Sequence, residues 1–162
     1  MKTFKELNSL IIDWAKEREL DTKGTVQGQK MKTIEELAEL IIGISKDNKE
    51  VIKDSIGDVA VTLIIGNMLY EKHNIVSLYN AVSDSKGTNL TKVIKINWVI
   101  RNMASTFKAY SKIHLHFTLQ GLIGIANDYD LEFLDCLESA YNEISNRKGK
   151  MIDGTFVKEQ DL

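Results

Sequence analysis

"KTIEELAELIIGISKDNKEVIKDSIGDVAVTLIIG", residues 32–66, sets two apolar-rich runs on either side of a short polar break, "KDNKE". In the first run apolar residues recur three and four apart, the spacing of one helical face. Ile34, Leu37, Ile41 and Ile44 are expected to form its buried side, with Gln29, Lys32, Glu35, Glu36 and Glu39 on the solvated side opposite. In the second run Ile52, Ile56, Val59, Val61, Leu63, Ile64, Ile65, Leu69 and Tyr70 occupy the whole circumference, and a helix apolar all round is buried. A connection as short as KDNKE makes the two helices antiparallel neighbours.

Asp54 and Asp58 fall inside that second run, one turn apart. An unpaired buried carboxylate costs several kcal/mol or more, so the two aspartates need cations or must hold protons. Lys53 points elsewhere on the helical wheel, and Lys32 satisfies only part of such a cluster. Two arrangements answer the need: a structural network of salt bridges, or a divalent ion that neutralises several carboxylates at once. Five acids on two adjacent antiparallel helices favour the ion, and oxygen-only ligands suit Mg²⁺ or Mn²⁺.

Outward from this hairpin the chain reads as all-α. It contains no proline, where average usage of about 5% predicts several. A bundle of five to six helices is expected over residues 3–20, 26–46, 49–72, 90–110, 113–127 and 131–147. Phe4, Leu7, Ile11 and Trp14 share one face of the first. Residues 73–89 read as a surface insertion, and the end from about residue 148, "KGKMIDGTFVKEQDL", as an irregular tail. The 162 residues, 43% of them hydrophobic, suffice for one domain with its own core.

Charge and composition exclude several functions. A formal net charge of −2, from 21 basic and 23 acidic residues, recommends neither nucleic acid nor an anionic membrane as partner. The longest apolar stretch, "VAVTLIIGNMLY", is interrupted by Thr62, Gly66 and Asn67 and is shorter than the roughly 20 residues a bilayer demands. One cysteine, Cys136, forms no internal disulfide, and the start "MKTFKELNSLIIDW" lacks the pattern of a signal peptide, so the expected address is cytoplasmic. No G-x-x-x-x-G-K-[ST] phosphate loop is present. His114 and His116 face different ways on a helix, and no Glu-x-x-His pair suggests a di-iron site.

"EELAE" followed after a short connection by "DSIGD" resembles the paired-acid signature of the MazG-like, all-α nucleoside triphosphate pyrophosphatases, E-E-x-x-E, a spacer, then E-x-x-D. "IIDWAKEREL", "QGQKMKTIEELAELIIGISK" and "CLESAYNEISNRKGKMIDGTFVKEQDL" extend the likeness to the phage and prophage branch. The stretch from His73 to Tyr110 is not covered. One position departs from the pattern: Ser55 stands where the glutamate of E-x-x-D belongs, while Asp58 matches. Asp54, in i,i+4 register with Asp58, is expected to supply the missing carboxylate.

The resemblance implies Mg²⁺-dependent hydrolysis of a nucleoside or deoxynucleoside triphosphate to monophosphate and pyrophosphate. Glu36, Glu39, Asp54 and Asp58 are the expected metal ligands, and Glu35 or Glu36 the general base. Gln29, Lys32, Arg147 and Lys150 are the expected substrate contacts, with the base stacked on Trp14, Trp98 or Tyr70. The all-apolar third helix leads us to expect a homodimer or a dimer of dimers. The alternative is a non-catalytic helical regulatory protein with a decayed nucleotide site, a reading that Ser55 keeps open.

Overall fold

The computed structural model describes residues 2–70, 72–83, 92–104, 110–153 and 155–159. These form α1 (Phe4–Glu17), α2 (Leu20–Lys23), α3 (Val26–Ser45), α4 (Lys49–Leu69), α5 (Ile75–Ser83), α6 (Lys92–Ala104), α7 (Lys112–Asp128), α8 (Phe133–Ser145), β1 (Gly149–Ile152) and β2 (Thr155–Lys158). The architecture is all-α with one small antiparallel hairpin. It has eight helices among the described residues rather than five or six.

Helix ends follow local chemistry. Thr3 and Glu6 form a reciprocal capping box at the start of α1. α1 stops at Glu17 because Glu19 takes a left-handed conformation (φ 57°), which splits the expected 3–20 helix into α1 and α2. The break between α3 and α4 works from both sides. Asp47 turns left-handed (φ 51°), Asn48 N–H donates to the Gly43 carbonyl at 2.9 Å, and the Asn48 side chain accepts from Val51 N–H at 3.3 Å. The result is the expected antiparallel α3–α4 pair.

α4 is the axis of the domain. Ile52, Ile56, Val59, Leu63, Ile64 and Ile65 are all buried, with α3, α8, α1 and α7 packed around them. One chain therefore surrounds this helix with its own elements, so the apolar circumference of α4 is no longer a reason to expect a second subunit. Two glycines set how closely its neighbours come. An added Cβ at Gly57 would overlap the Cys136 carbonyl on α8, and one at Gly66 would overlap the ring of Tyr110. Tyr110 is buried there, its hydroxyl 2.7 Å from Thr33 Oγ1.

Two segments expected to be peripheral belong to the packed body. Residues 75–83, read as part of an insertion, form α5, whose Ile75, Leu78 and Val82 are buried and whose Tyr79 stacks on Phe4 with ring centroids 4.2 Å apart. Residues 84–89 of that stretch lie outside the described residues. The tail read as irregular pairs β1 with β2, Met151 opposite Phe156, through a turn in which Asp153 is left-handed (φ 49°). α6, the described part of the expected 90–110 helix, is held to α7 by Val99, which fills the notch at Gly121, and by Lys95, whose ammonium meets both Asp128 oxygens at 2.7 and 2.8 Å. Residues 90, 91 and 105–109 of that expected helix lie outside the described ones.

Because the α4–α8 contact leaves no room for a methyl group at position 57, Gly57→Ala is expected to lower unfolding free energy by about 1–3 kcal/mol. Chemical denaturation with an unchanged m-value checks it.

Candidate functional site

α3 does not present the faces its sequence suggested. Its buried residues are Gln29, Thr33, Leu37, Leu40 and Gly43, while Ile34 and Ile41, expected in the core, are 39% and 37% exposed. Gln29, expected on the solvated face, is buried and donates from Nε2 to the Thr62 carbonyl of α4 at 3.2 Å. The helix is thus turned so that Lys32 and Glu36 border α4 rather than face away from it. Glu36 keeps only 12% of its side chain exposed.

This rotation builds a pocket of about 110 Å³ between α1, α3, α4, the end of α8 and β2. Trp14, Val61, Ile65, Leu69 and Phe156 supply apolar walls, and Gln29, Lys32, Glu36, Asp58, Thr62 and Arg147 supply polar ones. Lys32 Nζ lies 2.9 Å from Glu35 and 3.0 Å from Glu36. Burial opposes the charge on that ammonium, but the hydrogen bonds to the two glutamates outweigh it and raise its pKa.

The carboxylates expected to act together are coupled in space. Burial pushes Asp58 up to about 7 from 3.8, and repulsion from Glu36 and Asp54 adds to it while Arg147 opposes. Asp54 is also raised, by burial and then by Glu143 and Glu36, with Arg147 again pulling down. Glu39 is raised by burial, then by Glu36 and Glu35. Glu35, Glu39 and Asp54 are exposed and stand outside the pocket lining; Asp54 is therefore not the buried acid the sequence implied. Ser55 is buried at 2% exposure. Among the described residues, no three His, Cys, Asp or Glu side chains form a ready-made metal cage. Repulsion among the acids adds to burial in each of these pKa shifts, and a positive charge placed between them would relieve both.

The remaining expected residues divide. Trp14 is at once core and pocket wall. Arg147 lines the pocket and pairs with Glu143, one turn back on α8. Lys150 is exposed on β1, away from the lining; Trp98 packs edge-on against Phe117 instead, and Tyr70 caps α4. Sequence reading missed Glu143, Phe156 and Arg18. The Glu143–Arg147 pair had a signal in its i,i+4 spacing. Arg18 had none, because its Nε and Nη2 donate to the Arg147 backbone carbonyl (3.2 and 2.9 Å), which carries no residue identity.

No protein-family profile matches the chain, and no solved structure does. A 65-residue segment is 42% identical to an uncharacterised 18.2 kDa protein of the rep–hol intergenic region of Haemophilus phage HP1 (strain HP1c1). The match spans 40% of this chain and 40% of that protein. No described helix is long and apolar enough to cross a membrane.

The raised acids fix a pH dependence. A folded-state pKa above the unfolded value means stability that is complete below about pH 4 for this group and lost as pH rises through about 7. Each pH unit of displacement is worth about 1.4 kcal/mol, so Asp58 alone withdraws on the order of a few kcal/mol. Asp58→Asn is expected to melt higher than the unsubstituted chain at pH 8, by less at pH 5, and nearly level with it at pH 4, without added metal. Thermal scans across that range check the slope.

Proposed function

We propose that this chain hydrolyses nucleoside or deoxynucleoside triphosphates to monophosphate and pyrophosphate with Mg²⁺, Mn²⁺ being the natural substitute, in the manner of the MazG-like all-α pyrophosphatases it resembles. The observation that carries this reading is Asp58: a half-buried carboxylate pushed up to about 7 on a pocket wall that also holds Glu36, Lys32 and Arg147. Such a wall holds a carboxylate that burial makes costly to ionise, beside two cations placed for an anionic ligand.

Glu36, Glu39, Asp54 and Asp58 would hold the ion, which supplies positive charge against the triphosphate. Lys32 and Arg147 border the same space and contact phosphate oxygens. Arg147 must loosen from Glu143 to do so. Glu35, within reach of Lys32 at the aqueous margin, or Glu36 takes a proton from the attacking water. The water oxygen bonds to the α-phosphorus, the bond to the bridging oxygen breaks, and pyrophosphate departs. Trp14 and Phe156 flank the space for the base.

The test is a screen of common NTPs and dNTPs with Mg²⁺ or Mn²⁺, scoring pyrophosphate and monophosphate. Asp58→Asn and Glu39→Gln are expected to reduce turnover by roughly 10²-fold or more, given that even residues merely supporting metal ligands cost 10–100-fold. Asp54→Asn is expected to weaken turnover and Ser55→Ala to leave it nearly unchanged. Release of orthophosphate would overturn attack at the α-phosphorus. Silence toward every nucleotide would favour a non-catalytic regulator, a second reading that the buried Ser55 supports, since a glutamate expected among the ligands is replaced there by a side chain with no charge.

We also infer a homodimer or dimer of dimers, now on a different surface from the one the sequence pointed to. Met31, Ile34, Ile41 and Ile42 leave an exposed apolar stripe along α3, beside its acidic face. Sedimentation at micromolar concentration is expected to give at least twice the 18.3 kDa chain mass, and Ile42→Asp to lower it. A monomeric mass for the unsubstituted chain would refute the inference.

A further inference from the structure

Arg147 stands past the end of α8 and before β1, so neither a helix nor a strand ladder fixes its backbone. Its N–H bonds to the Ile144 carbonyl at 2.9 Å, and its own carbonyl is gripped from the end of α1. Arg18 donates to that one oxygen from Nε at 3.2 Å and from Nη2 at 2.9 Å, a two-point contact that needs a guanidinium. Arg18 is held in turn. Its Nη1 donates to the Trp14 carbonyl at 3.2 Å, its guanidinium lies 4.6 Å from the centre of the Trp14 ring, and α1 itself is anchored in the core by Leu7, Ile11 and Trp14. The Arg147 backbone is thereby tied to a packed helix. Its side chain is held far less firmly. The Arg147 guanidinium lines the pocket and meets Glu143 through Nη2, with no other hydrogen bond among the described residues. Glu143 is itself 52% exposed, and an i,i+4 pair of that kind is weak.

We propose that Arg18 is the positioning residue of this site: by fixing the Arg147 carbonyl it sets the point from which the Arg147 guanidinium swings off Glu143 and onto the phosphate chain of a ligand in the pocket. The inference rests on the triphosphate reading above and adds to it which residue aims the cation. A fork of donors must meet two phosphate oxygens at once, and a shift on the order of 1 Å at its base takes it out of register. Lys32, the other cation of the pocket, needs no such support, because it lies within α3 and the helix holds its backbone. Arg18 touches no ligand. All three of its nitrogens are engaged with backbone carbonyls, and it is not part of the pocket lining. Its grip is on the Arg147 carbonyl, so replacing the Arg147 side chain leaves that grip in place. Delivery of the side chain can therefore be separated from support of the fold.

The probe is the diimido form of inorganic tripolyphosphate with Mg²⁺, which has the phosphate chain, resists hydrolysis and carries no base to meet the Trp14 wall. Calorimetry would measure its dissociation constant for the unsubstituted chain, Arg147→Ala, Arg18→Met and the double variant, with melting temperature as the check on folding. Arg147→Ala is expected to bind about tenfold more weakly, the loss of one charge-assisted contact, and Arg18→Met more weakly by a comparable factor. The double variant is expected to bind no more weakly than Arg147→Ala, because a residue acting through the Arg147 side chain has nothing left to position. A role confined to stability would instead add the same loss in both backgrounds. Additive losses, or an Arg18→Met chain that binds like the unsubstituted one, overturn the proposal and leave the triphosphate reading standing. An Arg147→Ala chain of unchanged affinity does the same. If Arg18→Met does not fold, Arg18→Lys, which keeps the charge and loses the fork, carries the same cycle with the same expected sign. Failure of the unsubstituted chain to bind the probe while it binds a nucleoside triphosphate overturns the proposal alone, and failure to bind either overturns both.

Discussion

The enclosure of α4 is the constraint from which the rest of the structure follows. A helix apolar on every side has no stable position at a surface, so the chain must surround it, and it does so with α1, α3, α7 and α8. Close approach is obtained by omitting side chains, at Gly57 against α8 and at Gly66 against Tyr110. What matters for function is where the enclosure stops. Along the line of Asp58, Val61, Thr62, Ile65 and Leu69, α4 is covered by a pocket rather than by packed side chains. The aspartate that looked misplaced in an apolar run stands at that edge, half in the core and half in the cleft.

The second organising feature is the corner where the end of α1 meets the end of α8. Arg18 binds two backbone carbonyls and covers the Trp14 ring, so one side chain fixes an aromatic wall and the start of the segment carrying Arg147 and the hairpin. A bidentate grip by a planar guanidinium is more directional than a lysine contact would be. The pocket thus has a rigid aromatic end, on α1 and β2, and a charged end, on α3, α4 and α8.

How much of this was legible depended on whether a residue's role was set locally. The α3–α4 hairpin could be read from spacing, and the coupling of Glu35, Glu36, Glu39, Asp54 and Asp58 followed from it. The orientation of α3 could not. That helix carries two apolar stripes, Leu37 with Leu40 and Met31 with Ile34, Ile41 and Ile42, and periodicity alone does not say which one meets α4. The core took the stripe that brings Thr33 to Tyr110 and Gln29 to the Thr62 carbonyl, choosing hydrogen bonds over additional isoleucine. Two signals were present and passed over. Asp153–Gly154 between "KMI" and "TFVK" is a hairpin turn sequence, and Ile75, Leu78 and Val82 have helical spacing. The Arg18 contacts were beyond reach, because a backbone carbonyl leaves no trace in the residue that provides it.

The way α6 is attached implies a hierarchy of opening. Among its described side chains, Val99 and Lys95 are the buried ones, against a dozen or more on α4. The ion pair between Lys95 and Asp128 fixes the register of α6 on α7, yet detaching it returns both charges to water, which repays much of the energy lost. Amide protons of α6 are therefore expected to exchange with solvent more readily than those of α4. Asp58 is thus carried on the most deeply enclosed helix of the domain, on the side of α4 that borders the pocket.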